Sequence, residues 1–226
     1  MNEAARRAPT LDRPTWILAA DQTGPRGRRG KPWQHPRGNF AATFVLKPGG
    51  NPASAALRSF SAANALFETL AMYTDRTRLS LKWPNDVLLN EGKVAGILLE
   101  SMGTAGAIDW LAIGFGVNLR RVPDVPGAAF PPVSLASENG RVPDLEDMLS
   151  VLASNMATQE RLFDEMGFGP IRESWLRQAA RLGEVITART GREDITGVFR
   201  DVDEAGQLVL ETKAGERRIA AAEVHF

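Results

Sequence analysis

Short apolar runs, separated by turn residues, predict a sheet before any chemistry is considered. Six runs have the length and composition of strands: 16–20, 39–46, 79–82, 87–89, 94–100 and 110–119. Residues 90–92, Asn-Glu-Gly, are typical of a hairpin turn between two of these strands. Leu57, Phe60 and Phe67 recur at helical spacing, so we expect an amphipathic helix that begins near Ser54.

Helical spacing returns after a proline-rich loop at 122–133. Asp144 is placed to cap a second helix with one apolar face. A short third helix is expected to carry Ile171, Trp175 and Ala179.

The pattern changes again after residue 182, where short alternating segments are broken by turn residues. This pattern predicts a small antiparallel barrel of about five strands. We therefore predict an α+β fold. A mixed sheet with packed helices is expected over residues 1–181, followed by a small C-terminal β-barrel over residues 182–226.

Composition and charge argue against several classes of function. The 226 residues carry 27 Lys and Arg against 27 Asp and Glu, so there is no overall basic field for nucleic acid. Cysteine is absent and histidine occurs twice, so disulfides, thiolate chemistry and histidine-built zinc sites are not expected. No apolar run is long enough to cross a bilayer, and the start does not resemble a leader. We expect a cytoplasmic protein that binds neither nucleic acid nor membrane.

One segment concentrates charge in this otherwise neutral chain. Residues 26–33, Arg-Gly-Arg-Arg-Gly-Lys-Pro-Trp, combine four cations, two glycines and an indole. Glycine lets backbone N–H groups approach an anion, and arginine adds a forked donor. The segment predicts a loop that binds phosphate or carboxylate. An Arg-Gly nucleic-acid segment and a plain exposed turn are the alternatives.

Two further segments carry polar groups at the ends of predicted strands. Residues 82–86 read Lys-Trp-Pro-Asn-Asp, and Lys93 follows Asp86 by seven positions. If the turn at 90–92 returns the chain antiparallel, Lys93 comes back toward Asp86, a pair suited to a phosphorylated or carboxylated ligand with or without Mg²⁺. A surface hairpin with a solvated lysine is the alternative. Residues 113–118, Ile-Gly-Phe-Gly-Val-Asn, indicate either a packing bulge or close approach of a ligand.

Taken together and in order, these segments closely resemble the bacterial biotin protein ligases, of the type without an N-terminal DNA-binding domain. The matching segments are 22–33, 36–39, 82–86, 92–100 and 113–118, and the resemblance continues through the C-terminal β segment. It implies the catalytic fold that class II aminoacyl-tRNA synthetases share with biotin and lipoate ligases.

The resemblance implies an ATP-dependent ligase that works in two steps. Biotin, the substrate, would attack the α-phosphorus of ATP, with Mg²⁺ accompanying the nucleotide, to give biotinyl-5′-adenylate and pyrophosphate. The biotinyl group would then pass to one lysine of a biotin carboxyl carrier protein, from acetyl-CoA carboxylase or a related carboxylase. A homodimer is left open.

The resemblance also implies which residues carry the chemistry. Lys93, Arg28 and Asp86 are expected to be catalytic, and no metal ligand is assigned. The expected lining of the biotin and adenylate site is Gln22, Arg26, Gly27, Arg28, Arg29, Trp33, Lys93, Gly96, Gly114, Gly116 and Asn118. Trp33 is equally well interpreted as a packing anchor for the loop.

The start of the chain departs from the family. Relatives carry an earlier strand that ends in Ser-Thr-Asn or Ser-Thr-Met and helps to bind biotin, whereas this sequence opens Met-Asn-Glu-Ala. We expect the first strand to be missing and Met1 to be an internal methionine of a longer protein. A truncated, non-catalytic biotin-binding remnant is therefore one alternative to the ligase. A lipoate–protein ligase is the other.

Overall fold

The computed structural model describes residues 11–27, 30, 33–104, 106–125 and 130–226, which form two sheets and three α-helices. The strands of the first sheet are β1 Thr15–Leu18, β2 Phe40–Leu46, β3 Leu79–Lys82, β4 Asp86–Leu89, β5 Gly92–Met102 and β6 Trp110–Val117. The helices are α1 Pro52–Leu70, α2 Leu145–Met166 and α3 Phe168–Leu176, with a 3₁₀ turn at Arg76–Arg78. The strands of the second sheet are β7 Val185–Arg189, β8 Asp194–Val202, β9 Leu208–Thr212, β10 Gly215–Ile219 and β11 Glu223–His225.

The first sheet has the strand order β1-β2-β6-β5-β4-β3, and every ladder in it is antiparallel. Within the described ranges, parallel pairing is confined to two isolated bridges, Leu81 with Ala179 and Lys93 with Pro132. The α+β class is confirmed, but the parallel component of the predicted mixed sheet is reduced to these bridges. Tight connections such as the one between β4 and β5 explain this, because strands joined by two residues run antiparallel.

Alternation along the strands gives the first sheet two different faces. Ile113 and Phe115 of β6 point into the hydrophobic core that the three helices cover. The residues between and beside them, including Gly114 and Gly116, belong to the opposite face because side chains alternate along a strand. No helix in the described ranges is long and apolar enough to span a bilayer.

The helices begin at capping residues. Asn51 precedes α1 and its side chain accepts a hydrogen bond from the Ser54 N–H at 2.9 Å, while Pro52 takes the first helical position. The helix therefore starts two residues before the predicted position. Asp144 precedes α2 as predicted, although its side chain makes no capping hydrogen bond. Ala179 lies beyond the end of α3, so its placement in that helix was wrong.

The second sheet has the strand order β10-β9-β8-β7-β11, with antiparallel ladders throughout. The five predicted antiparallel strands are present, but they do not close into a barrel, because β10 and β11 form opposite edges. Residues 220–222 alone join these edges, so they are at most roughly 15 Å apart. The outer residues of β10, Glu216, Arg217 and Arg218, are charged and exposed, which favours a solvated edge over pairing.

The second sheet is fixed to the rest of the molecule by specific contacts. The Trp83 indole N–H donates to the Gly206 carbonyl at 3.1 Å, and Arg172 of α3 pairs with Asp201 of β8. Gly206 lies in the turn between β8 and β9 at φ +76°, and a Cβ there would be 3.0 Å from the Phe60 ring of α1. Glycine at this turn therefore permits both the backbone conformation and the close approach.

Replacement of Gly206 by alanine tests this contact. Gly206→Ala and Gly191→Ala each place a side chain at positive φ, at a cost of about 1–2 kcal/mol. Only Gly206→Ala also meets Phe60, since a Cβ at Gly191 has nothing within 4 Å. We expect Gly206→Ala to lose about 1–3 kcal/mol more of the free energy of unfolding in urea titrations. Equal losses for the two variants would contradict the packing at this turn.

Candidate active site

Charged and glycine residues collect on the face of the first sheet that the helices leave uncovered. Partners across an antiparallel ladder point to the same side. Lys82 of β3 is registered with Asp86 of β4. Asp86 is in turn registered with Gly96 of β5, which pairs with Gly116 of β6. A single row across four strands therefore has two charged side chains at one end and two glycines at the other.

A β-bulge brings Lys93 to this face. Val87 pairs with Ala95, whereas Leu88 pairs with Lys93, so β5 contributes one extra residue between these pairs. Leu88 shares a face with Asp86, because the two are separated by one residue, and its partner Lys93 therefore shares it too. Without the extra residue, Lys93 would face the core.

Asp86 lies between two ammonium groups. Its Oδ1 is 2.7 Å from Lys93 Nζ and its Oδ2 is 3.5 Å from Lys82 Nζ. Burial raises the pKa of a carboxyl, but the ammonium groups of Lys93 and Lys82 outweigh this effect and hold the pKa of Asp86 below its ordinary value. Burial lowers the pKa of Lys82, and the charge of Asp86 opposes that shift. Asp86 is therefore ionised at neutral pH.

The glycines of the row form a floor for a planar group. Trp33 lies against this floor, since a Cβ at Gly116 would be 2.9 Å from its indole ring and a Cβ at Gly96 would be 3.3 Å away. Its ring also lies 5.3 Å from Lys93 Nζ, within range of a cation–π contact. Trp33 thus anchors the basic loop to the sheet and borders the charged groups.

A cavity of about 220 Å³ opens over this row. It brings together nine of the residues that the sequence predicted for the site: Gln22, Arg26, Gly27, Trp33, Asp86, Lys93, Gly96, Gly114 and Gly116. Arg28 and Arg29 lie outside the described residues.

Asn118 does not border the cavity, in contrast to its predicted place in the lining. It is 2% exposed and donates from its side-chain amide to the carbonyls of Lys93 and Val133 at 3.4 and 3.0 Å. The side-chain carbonyl of Asn39 accepts from three successive backbone N–H groups, 119–121, and so fixes the turn that follows Asn118. Asn118 therefore holds the backbone at Lys93, and Asn39 fixes the turn beside it.

The cavity also contains residues that sequence reasoning missed. Lys82 stands in a segment that was singled out, but it was not assigned to the site. Glu100 of β5, Ala222 of the segment before β11, and Glu223 of β11 also border the cavity. The alternation of side chains along a strand could have identified Lys82. A short predicted turn separates Lys82 from Asp86, so the two residues lie opposite each other and face the same side of the sheet. No sequence signal connects 222–223 with a strand more than a hundred residues earlier.

The arrangement suits chemistry on anions. Lys93 is 29% exposed at its side chain and Arg26 borders the same cavity, so two cationic residues border the space that an anionic ligand would enter. Among the described residues, no group of three His, Cys, Asp or Glu side chains is arranged to hold a metal ion. Mg²⁺ does not require such a cage, because it is usually held by one or two carboxylates together with substrate phosphates.

Family models match both parts of the chain. Residues 1–118 match the biotin/lipoate A/B protein ligase family, and residues 182–226 match the biotin protein ligase C terminal domain. Together these matches include the site face of the first sheet and the whole second sheet.

Individual relatives agree with the family models. The biotin–[acetyl-CoA-carboxylase] ligase of Paracoccus denitrificans is 49% identical, over 99% of this chain and 95% of its own. The bifunctional ligase/repressor BirA of Bacillus subtilis is 28% identical over 94% of this chain, which spans 66% of that longer protein. The biotin protein ligase of Aquifex aeolicus, solved in complex with biotin and ATP, superposes with a TM-score of 0.80 at 26% identity, over 98% of this chain and 93% of that chain. The chain therefore belongs to the biotin protein ligase family.

Proposed function

We propose that this protein forms biotinyl-5′-adenylate from biotin and ATP and transfers the biotinyl group to a lysine of a biotin carboxyl carrier protein. The observation that carries the proposal is the Lys93–Asp86 ion pair, set beside a glycine floor in a cavity bordered by the basic loop. The Paracoccus relative and the biotin and ATP of the Aquifex complex support the same substrates.

In the first step two anions must meet. The biotin carboxylate attacks the α-phosphorus of ATP, a P–O bond breaks, and pyrophosphate leaves. Lys93 is assigned to the biotin carboxylate and the α-phosphate, with Arg26 and Arg28 as further cations, because fixed positive charge stabilises the transition state of such a step. When bound, Mg²⁺ would neutralise charge on the phosphates.

In the second step a carrier lysine attacks the acyl carbon. An amide forms, AMP leaves with the former acyl oxygen, and the amine gives up a proton. Asp86 is a poor acceptor for that proton, because its pKa is held below the ordinary value. We therefore assign Asp86 to orient Lys93 and the incoming amine.

The remaining assignments are proposals of the same kind. Gln22, Gly27 and Arg29 are assigned to the ligand-covering loop, with Trp33 as its anchor. Gly96, Gly114 and Gly116 are assigned to backbone contact with the ligand.

We also propose that the chain divides into a catalytic unit, 1–181, and a C-terminal unit, 182–226. Cytoplasmic location, the lack of nucleic-acid binding and a homodimer stay predictions.

Two assays test the function. Purified protein with ATP and Mg²⁺ should release pyrophosphate with biotin and not with lipoate, which separates it from a lipoate ligase. It should also label a biotin carboxyl carrier domain, and not the same domain with its acceptor lysine replaced by arginine. An inert protein, as the truncated remnant would be, contradicts the proposal.

Lys93 should be indispensable to the first step. Lys93→Met should lower biotin-dependent pyrophosphate release by about 10²–10³-fold, because a fixed cation at the reacting oxygens is removed. Lys213→Met, the same change at an exposed turn, is the matched control and should leave the rate unchanged. A rate within twofold of the wild type for Lys93→Met would exclude its assigned role.

The two glycines of the floor, Gly116 and Gly96, should differ in how strongly their replacement by alanine weakens biotin binding. Gly116→Ala places a Cβ 2.9 Å from the rigid Trp33 ring, whereas Gly96→Ala places one at 3.3 Å. Overpacking costs about 1–3 kcal/mol, so Gly116→Ala should weaken biotin binding by at least about fivefold, measured by calorimetric titration. Gly96→Ala should have the smaller effect. Equal affinities in both variants would contradict close approach at this floor.

A further inference from the structure

Lys82 is a buried cation to which the proposed reaction gives no task. Its side chain is 6% exposed, against 29% for Lys93, although both ammonium groups face Asp86. The ring of Phe130 covers it, with Nζ 4.5 Å from the ring centroid. Burying an ammonium group is unfavourable unless a partner compensates it, and the Asp86 carboxylate, 3.5 Å away, is an ion-pair partner of Lys82.

Two ammonium groups, those of Lys93 and Lys82, face the single negative charge of Asp86. Lys93 makes the shorter contact, 2.7 Å, but it is also the more exposed of the two lysines. When Lys93 turns toward a bound anion, its hold on Asp86 weakens. A buried carboxylate that loses its cation takes up a proton or moves. Lys82 would still neutralise Asp86 in that state.

We propose that Lys82 is a positioning residue, which keeps Asp86 ionised and in place while Lys93 shifts its ion pairing from Asp86 to the ligand anions. The proposal rests on the proposed function, because it takes anions of biotin and ATP to bind at Lys93. The backbone positions of the two lysines support these different roles. Lys82 and Asp86 are register partners on adjacent strands, whereas Lys93 stands on the bulged segment of β5.

The other charged groups around the pair do not replace Lys82. Glu223 of β11 borders the cavity and interacts electrostatically with Lys82, and Glu100 of β5 borders the cavity as well. Both are acidic, so neither can neutralise Asp86. His225 of β11 interacts with Lys82 electrostatically, and burial lowers the pKa of this imidazole, so it is neutral at pH 7. Arg26 borders the cavity from the loop and is assigned to the ligand.

The test is the pH dependence of biotin-dependent exchange between ATP and pyrophosphate. In Lys82→Met, the kcat profile should gain an acid limb between about pH 6 and 8 and lose about tenfold at pH 7, because Asp86 then ionises only at higher pH in the ligand complex. Lys82→Arg retains the charge and should keep the wild-type shape. Lys213→Met is the control at an exposed turn.

A double-variant cycle identifies the group through which Lys82 acts. In an Asp86→Asn background, Lys82→Met should add no acid limb, because the carboxyl that would titrate is gone. An acid limb that persists without Asp86, or an equal loss at every pH in the single variant, would overturn the proposal. A merely structural role of Lys82 predicts that equal loss.

A measurement on the wild-type protein covers the case in which Lys82→Met does not fold. With ¹³C-labelled aspartate, NMR should show the Asp86 carboxyl still ionised at pH 6 when biotin and a non-hydrolysable ATP analogue are bound. A pKa that rises above 6 on binding would overturn the proposal. The two hypotheses fail separately. Wild-type protein without biotin-dependent exchange contradicts the proposed function, whereas an active wild type with parallel pH profiles contradicts only the role of Lys82.

Discussion

The ion pair between Asp86 and Lys93, backed by Lys82, is the interaction on which the site depends. Removing one member of a buried pair costs about 3–5 kcal/mol, because an uncompensated charge remains. Three adjacent strands must therefore supply one group each, at fixed register. The bulge in β5 satisfies this requirement by turning Lys93 away from the core. Asn118 then holds the bulged backbone at Lys93 and Asn39 fixes the turn that follows Asn118, so two buried amides that do not border this cavity still support the charge arrangement.

Close approach to the sheet is the second constraint, and it follows from the first. Cations that project from β3 and β5 act only on atoms that come near them, so the neighbouring floor residues must carry no side chains of their own. Gly96 and Gly116 provide that floor at adjacent register positions. The same feature allows the Trp33 ring to pack on the sheet. One pair of glycines thus positions both the ligand face and the loop above it.

Sequence periodicity identified the strands and helices, because alternation and helical spacing depend on local burial. The family resemblance supplied the nine predicted residues that border the cavity. The closeness of Lys93 and Asp86 followed from the hairpin, which returns the chain to nearby positions. The differences are non-local. Nothing in the sequence shows that the Asn118 amide donates to Lys93 and Val133 and so lies away from the cavity lining. Strand count alone likewise does not show whether the two edges of the second sheet pair, and here they do not.

The second sheet is part of the site for a reason that its sequence does not show. Lys82 and Trp83 are successive residues, so their side chains leave the backbone on opposite sides. Lys82 turns to Asp86, whereas the Trp83 indole donates to Gly206 in the second sheet. From the other direction, Ala222 and Glu223 border the cavity. The turn between β8 and β9 therefore contacts the residue next to Lys82, at the strand end that carries one member of the ion pair. The second sheet thus contributes to the support of the site as well as to its lining.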